Sequence, residues 1–158
     1  MTLPPGLTLR PATVADAETI QAQRDAMFTD MGSDVARVRA VSAMSLEWLR
    51  GALADGSYSG VLIEREGRAV AGAGVIWQSL PPSPRTLPTL RAYILNVYVT
   101  PEQRGRGLAG HLLRALLAEC RARGVEMVSL HASDAGRSTY EQLGFVPTNE
   151  MRLTLDSS

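Results

Sequence analysis

The spacing of hydrophobic residues changes several times along this chain, and each change marks a structural element. Apolar residues three or four positions apart predict helices, and short apolar runs or alternations bounded by turn residues predict strands. The predicted helices span residues 13–31, 42–54, about 107–124 and 136–143. The predicted strands are 7–10, 58–66, 69–78, 93–99 and 127–132, followed by β segments at Phe145 and Met151–Leu155.

Turn residues indicate how these elements connect. Gly67 and Arg68 separate the second and third strands at the distance of a tight hairpin. The prolines between residues 81 and 88 predict an irregular loop, because proline lacks the N–H donor that a central strand needs. A right-handed crossover would make the strands 93–99 and 127–132 parallel neighbours. The order of elements therefore predicts a mixed sheet with helices on both faces.

Composition narrows the class of protein. The chain has 158 residues, 45% hydrophobic and 20% charged, so we treat residues 1–158 as one domain with a sizeable core. The 16 basic and 16 acidic residues cancel, which leaves no overall field to attract nucleic acid or an anionic membrane. Neither a spanning helix nor a leader segment is evident in the sequence. We expect a cytoplasmic protein with no nucleic-acid or membrane partner.

The residues that could ligate a metal or act as a thiol nucleophile are few. Cys120 is the only cysteine and falls on the inner face of the helix 107–124, so we expect a packed thiol. His111 has no metal-ligand spacing with another histidine or cysteine. The sequence therefore predicts no metal site.

The segment Gln103–Gly110 (QRGRGLAG) joins the strand 93–99 to the helix that follows it. Glycines lack Cβ, so backbone N–H groups can approach phosphate oxygens closely. The start of the helix adds unpaired N–H donors and the positive end of the helix dipole. Arg104 and Arg106 add two cations at the same place. The segment predicts a site for a phosphorylated ligand.

Two classes of ligand fit this segment. Gly105-x-Gly107-x-x-Gly110 matches the dinucleotide fingerprint, whereas Arg104-x-x-Gly107-x-Ala109 matches the pyrophosphate loop of acetyl-CoA-dependent acyltransferases. A dinucleotide domain places its turn after the first strand, with further βαβ units behind it. Too little chain follows Gly110 for such a sheet. The acyltransferase interpretation is therefore favoured, and a dinucleotide-dependent oxidoreductase is the weaker alternative.

Two segments of the chain resemble the GCN5-related N-acetyltransferase superfamily. They are Tyr98–Ala109 (YVTPEQRGRGLA) and Tyr140–Phe145 (YEQLGF), with a helix and a strand between them. The resemblance implies a central mixed, mostly antiparallel sheet with a splayed parallel strand pair and helices on both faces. It also implies transfer of an acetyl group from acetyl-CoA to a primary amine of a small molecule or amino acid, by direct attack in a ternary complex. A catalytically silent acyl-CoA-binding sensor is an alternative.

The same resemblance assigns roles to individual residues. It implies that the main chain of Val97 and Val99 pairs with the pantetheine arm of acetyl-CoA, and that Tyr140 protonates the departing CoA thiolate. It implies that the pyrophosphate binds to the glycine-rich turn. The residues of that turn are Arg104, Gly105, Arg106, Gly107, Leu108, Ala109 and Gly110.

Several residues could serve as the general base. His131 is our first candidate, because it lies at the carboxyl end of the strand 127–132 and histidine changes protonation near neutral pH. A hydrogen-bonded structural imidazole is the alternative role for this residue. Asn96 could instead orient a water molecule, and Glu47 is a third candidate.

The resemblance places the acceptor against the first two helices and the loop 81–88. Large apolar residues there could line its pocket, although such residues are more often part of a core. Homodimers are common among similar proteins, so a homodimer stays open. The candidate lining residues are Met27, Phe28, Met31, Trp48 and Trp77.

Overall fold

The structure is a computed structural model that describes residues 2–156. The described chain contains five strands and four α-helices, and they follow one another in the order that the sequence predicts up to α4. Their bounds are β1 Leu7–Pro11, α1 Ala17–Asp30, α2 Val35–Asp55, β2 Tyr58–Arg65, β3 Arg68–Ser79, β4 Leu90–Val99, α3 Leu108–Ala122, β5 Val128–Leu130 and α4 Arg137–Gln142.

The strands form one sheet in the order β1-β2-β3-β4-β5. The first four strands pair antiparallel with one another, whereas β5 runs parallel to β4. That parallel pairing is short, because it joins only Ala92–Ile94 to Val128–Leu130. Beyond this point β5 ends while β4 continues to Val99. The predicted mixed, mostly antiparallel sheet with a splayed parallel pair is therefore confirmed.

Helices cover both faces of the sheet, also as predicted. Alternate residues of a strand point to opposite faces, and β2 shows the consequence. Val61 and Ile63 belong to the core cluster that contains α3, whereas Leu62 belongs to the cluster formed with α1 and α2. On α3, Leu112, Leu113, Leu116 and Cys120 are all buried, and Cys120 lies on the inner face as predicted.

Two boundaries differ from their predicted positions. The hairpin turns at Glu66 and Gly67, with φ of 53° and 77°, rather than at Gly67 and Arg68. Two consecutive residues with positive φ match the twist of the flanking strands. Helix α2 begins at Val35 rather than Ser42, because Asp34 caps it by accepting a hydrogen bond from the N–H of Ala36. The early turns of α2 bury little apolar surface, so hydrophobic spacing did not mark them.

The predicted β segments at Phe145 and Met151–Leu155 are wrong. No strand follows β5 in the part of the chain that the structure describes. Met151, Leu153 and Leu155 alternate as in a strand, yet they are 94%, 81% and 79% exposed. An alternating pattern favours a strand only where a partner completes the ladder, and here a cavity separates the segment from β5.

None of the helices in residues 2–156 has the length and apolarity needed to cross a bilayer.

Candidate active site

A bulge in β4 shapes the centre of the candidate site. The pairing of β3 with β4 shifts register between Gly72 and Gly74, where Leu95 and Tyr98 are the flanking partners on β4. Asn96 lies within this shift and has a φ of 59°. That value is uncommon for a residue other than glycine. A bulge adds one residue to its strand and changes which main-chain groups face each neighbour.

The bulge directs the main chain of Val97 and Val99 into the gap beside β5. Before the bulge, the N–H of Ala92 donates to the carbonyl of Met127, the residue before β5. After the bulge, the N–H of Thr100 donates to the carbonyl of Val70 on β3. Because successive residues alternate in direction, Val99 and Val97 face away from β3. They lie beyond the last residue that pairs with β5. An extended ligand needs such an unpaired stretch of strand edge to form main-chain hydrogen bonds.

The side chain of Asn96 is held on both sides. Its Oδ1 accepts a hydrogen bond from Nη1 of Arg24 at 2.6 Å, and its Nδ2 donates to the hydroxyl of Tyr58 at 3.1 Å. Burial raises the pKa of Tyr58 to about 12, so the phenol stays protonated. The Tyr58 ring occupies the space beside Gly74, where an added Cβ would lie 1.8 Å from the hydroxyl oxygen. Both polar atoms of the Asn96 side chain are therefore engaged with protein partners.

The glycine-rich turn has the backbone that its sequence predicts. Gly105 and Gly107 have φ of 78° and 77°, and no atom lies within 4 Å of the place where either would carry a Cβ. Helix α3 starts at Leu108, and its first backbone hydrogen bond runs from the N–H of His111 to the carbonyl of Gly107 at 3.3 Å. The preceding N–H groups have no acceptor within the helix. This geometry suits an anion.

The two arginines of the turn differ in their partners. Arg104 donates from Nε to the carbonyl of Val99 at 2.9 Å and from Nη2 to Asp30 at 2.7 Å. Arg106 donates to the neutral side chain of Gln103 at 2.5 Å. The contact with Val99 fixes the turn against the end of β4. Because Asp30 already offsets the charge of Arg104, Arg106 contributes more of the positive field of the turn.

Tyr140 and His131 line one cavity of about 290 Å³ between β5, α4 and residues 145–152. Tyr140 is buried with its ring edge-on to Phe145, at 6.1 Å between centroids. Burial raises the pKa of its phenol. His131 is exposed, and Nη2 of Arg152 lies 3.0 Å from its Nε2. The same Nη2 lies 3.2 Å from Nδ1 of His131. An arginine can only donate, so its acceptor is whichever ring nitrogen lacks a proton, and that is the nitrogen a base would use.

Tyr140 and His131 share this cavity, whereas the glycine-rich turn lies outside it. No residue of β4 or of the segment 103–110 lines the cavity that contains Tyr140. The cavity and the glycine-rich turn are linked through the hydrophobic core, because Tyr140 and Leu108, the first residue of α3, belong to the same core cluster. Cys120 in that cluster is 1% exposed, and burial raises the pKa of its thiol. It is a packed thiol, as expected.

A second cavity, of about 270 Å³, lies between α1, α2, β3 and β4. Of the predicted acceptor-lining residues, Trp48 faces this cavity, and the Phe28 ring stacks on the guanidinium of Arg24 at 4.7 Å. Trp77 lies elsewhere, against Arg123 and Ser59. Sequence reasoning missed Arg24. The residues around the cavity include Arg24, Ser45, Trp48, Ile76, Leu95 and Asn96.

Comparison with known proteins identifies the family. The model of the Acetyltransferase (GNAT) family matches residues 24–145. The chain belongs to this family. A crystal structure of a GCN5-related N-acetyltransferase from Ralstonia eutropha JMP134 is 37% identical to this acetyltransferase, with a TM-score of 0.91 over 95% of this chain and 99% of that one. No match is found among curated proteins.

Two further structures extend the comparison. A predicted acetyltransferase from Clostridium acetobutylicum, solved with acetyl-CoA, is 25% identical, with a TM-score of 0.87 over 95% of this chain and 96% of that one. The aminoglycoside N-acetyltransferase AAC(6')-Iy, in complex with CoA, shares the fold at 15% identity and a TM-score of 0.74 over 99% of this chain and 100% of that one. Acetyl transfer is thus the general chemistry of this acetyltransferase, and acetyl-CoA is its acetyl donor.

Proposed function

We propose that this acetyltransferase moves the acetyl group of acetyl-CoA to a primary amine of a small molecule or amino acid. The main support is the gap between β4 and β5, which leaves the main chain of Val97 and Val99 without a strand partner on the side that faces β5. The contact between Arg104 and the Val99 carbonyl holds the glycine-rich turn at the same end of β4. One extended ligand with a phosphorylated end can use both features.

In the proposed complex, the diphosphate of acetyl-CoA binds to the N–H groups of residues 105–110, with Arg106 beside it. The pantetheine arm lies along Val97 and Val99 as an added strand. Because Arg104 already occupies the Val99 carbonyl, the N–H of Val99 is the group left for this pairing. The acetyl group then reaches the Asn96 bulge, where β4 meets the second cavity.

The acceptor amine attacks the thioester directly in a ternary complex. Cys120 is buried and cannot carry the acetyl group. A backbone N–H of β4 near the bulge stabilises the carbonyl oxygen as it gains charge. We assign proton donation to the leaving thiolate to Tyr140, which requires the thioester sulfur to lie between the Asn96 bulge and the cavity that Tyr140 lines. In water, a phenol is a weaker acid than a thiol by about 2 kcal/mol. Burial raises the pKa of Tyr140, but desolvation also makes the thiolate a stronger base, so the two effects oppose each other.

The need for a general base depends on the acceptor. An α-amino group near neutral pH is already partly deprotonated, whereas a lysine-like amine needs a base. His131 is our candidate for that base, and its use requires Arg152 to release the imidazole. A homodimer remains an open part of the proposal.

Thiol release from acetyl-CoA, measured across a panel of amines, tests the proposal. We expect turnover with at least one amine. We also expect Tyr140→Phe to lower kcat by about 100-fold or more, with little change in affinity for acetyl-CoA or in melting temperature. Binding of acetyl-CoA with no turnover for any amine would favour the sensor. A thermal shift with NAD and none with acetyl-CoA would favour the oxidoreductase.

A further inference from the structure

Arg24 is a cation without a charged partner in the wall of the second cavity. It projects from α1, which packs against β4, and its guanidinium is half-buried. Within residues 2–156, its one hydrogen bond goes to the neutral side chain of Asn96, at 2.6 Å. A guanidinium carries five N–H donors in a fixed planar arrangement. Most of its hydrogen-bonding capacity therefore remains available.

The acidic side chain nearest in sequence does not neutralise Arg24. Asp25 acts on it electrostatically, but no carboxylate of the described chain lies within ion-pair distance of the guanidinium. The two Asp25 oxygens accept hydrogen bonds from Gln21 at 2.8 Å and from Ser42 at 2.7 Å. Burial lowers the pKa of Arg24, as expected for a desolvated cation. A half-buried charge is costly to keep unpaired.

The cavity places this cation beside the proposed reaction centre. Arg24 and Trp48 line its walls, and Asn96 belongs both to the cavity and to the bulge that opens the edge of β4. With about 270 Å³, the cavity is slightly smaller than the usual small-molecule site. Trp48 is 51% exposed and offers an aromatic surface to an apolar group. The site thus combines a cation, an aromatic wall and limited space.

We propose that the acceptor of this acetyltransferase is a small amine that carries a carboxylate, and that Arg24 binds this carboxylate through its free N–H groups. The proposal rests on the proposed function. Planar carboxylates match the geometry of guanidinium donors, often through two parallel hydrogen bonds. A polycationic acceptor such as an aminoglycoside would meet repulsion from Arg24. The amine end of the acceptor would lie towards Asn96 and the thioester.

Matched acceptors test this proposal in the full-length protein. Thiol release is measured with free amino acids, their α-carboxamides, the corresponding decarboxylated amines and an aminoglycoside. We expect kcat/KM for the preferred amino acid to exceed that for its carboxamide by tenfold or more, mainly through KM. The carboxamide has the less basic amine, so basicity would bias the comparison the other way. Equal rates for all classes, or faster aminoglycoside turnover, would overturn the proposal.

Variants at Arg24 separate carboxylate binding from a structural role. Arg24→Gln should lower kcat/KM for the amino acid by tenfold or more beyond any loss for the carboxamide, and so remove most of the preference. Arg24→Lys should restore part of the preference, because it returns the charge without the planar donors. Arg39→Gln, on an exposed position of α2 outside the cavity, is the control for a loss of charge. If Arg24→Gln lowers kcat/KM equally for both acceptors, Arg24 only holds Asn96 in place and the proposal is refuted.

A binding experiment distinguishes failure of this proposal from failure of the proposed function. CoA-saturated protein is titrated calorimetrically with the amino acid and with its carboxamide. If no amine supports turnover, the proposed function fails, and selective binding of the amino acid by wild type but not by Arg24→Gln still supports the carboxylate site. Equal binding of both compounds would refute that site. Stronger binding of O-phosphoethanolamine than of any amino acid would overturn the choice of a carboxylate.

Discussion

Replacing Gly107 by alanine tests whether the glycine-rich turn binds the diphosphate of acetyl-CoA. Gly107 has a φ of 77°, and nothing lies within 4 Å of the Cβ that alanine would add. In the free protein the substitution therefore costs only the strain of a left-handed residue, about 1–2 kcal/mol. With acetyl-CoA bound, the methyl group would meet the phosphate oxygens and displace at least one hydrogen bond to a charged group.

The size of the effect follows from that lost contact. A hydrogen bond to a charged group contributes about 1.5–3 kcal/mol. At 1.4 kcal/mol for each factor of ten, the dissociation constant for acetyl-CoA should rise by roughly 10- to 100-fold. Isothermal titration gives the affinity, and urea unfolding gives the stability of the free variant. The two measurements together separate strain from loss of the ligand contact.

Gly56 provides a matched control. It ends α2 with a φ of 82°, and it too has no atom within 4 Å of an added Cβ. Gly56→Ala should reduce the free energy of unfolding about as much as Gly107→Ala, but it should leave the affinity for acetyl-CoA within twofold of wild type. If Gly107→Ala also binds acetyl-CoA within twofold of wild type, the diphosphate lies elsewhere and the proposed donor site is refuted.

Four further predictions concern stability and mechanism. The hydrogen bond from Arg10 lowers the pKa of Asp16 from 3.8 to about 2, so this carboxylate stabilises the fold above about pH 4. That contribution, about 2 kcal/mol at most, should fade as pH falls from 4 to 2 in wild type and be absent from urea unfolding of Asp16→Asn. Gly51→Ala, inside α2 with open space, should raise the free energy of unfolding by up to about 1 kcal/mol. Gly74→Ala should lower it by about 1–3 kcal/mol in the same assay, because its Cβ would overlap the Tyr58 ring. Cys120→Ala should keep kcat within threefold of wild type in the thiol-release assay. If the reaction passed through an acetyl-cysteine at this position, the substitution would abolish turnover.

The parts of the fold that the sequence predicted well depend on local signals. Helix α3 has a continuous apolar face, and glycines mark both of its ends, so its position and buried residues follow from spacing alone. The turn at Gly105 and Gly107 was predictable because positive φ selects glycine. The predicted roles of these residues in binding acetyl-CoA remain predictions, as do those of Tyr140 and His131.

The parts that the sequence did not predict depend on distant contacts. Arg24 meets Asn96 across 72 positions of sequence, and Asn96 meets Tyr58 across 38. No local pattern distinguishes Arg24 from any other arginine on an exposed helix. The final predicted strand failed for a related reason. Residues 151–155 do alternate between apolar and polar side chains, but the sequence does not reveal whether the free edge of β5 will pair with them.

Asn96 links the sites that we propose for the two substrates. Its backbone adopts a φ that most side chains avoid, and the resulting bulge turns Val97 and Val99 towards the gap beside β5. Its side chain holds Arg24 in the wall of the acceptor cavity. A glycine could adopt the same φ but would leave Arg24 without its partner, whereas a larger residue would strain the bulge. One asparagine therefore satisfies two requirements that the local sequence pattern does not reveal.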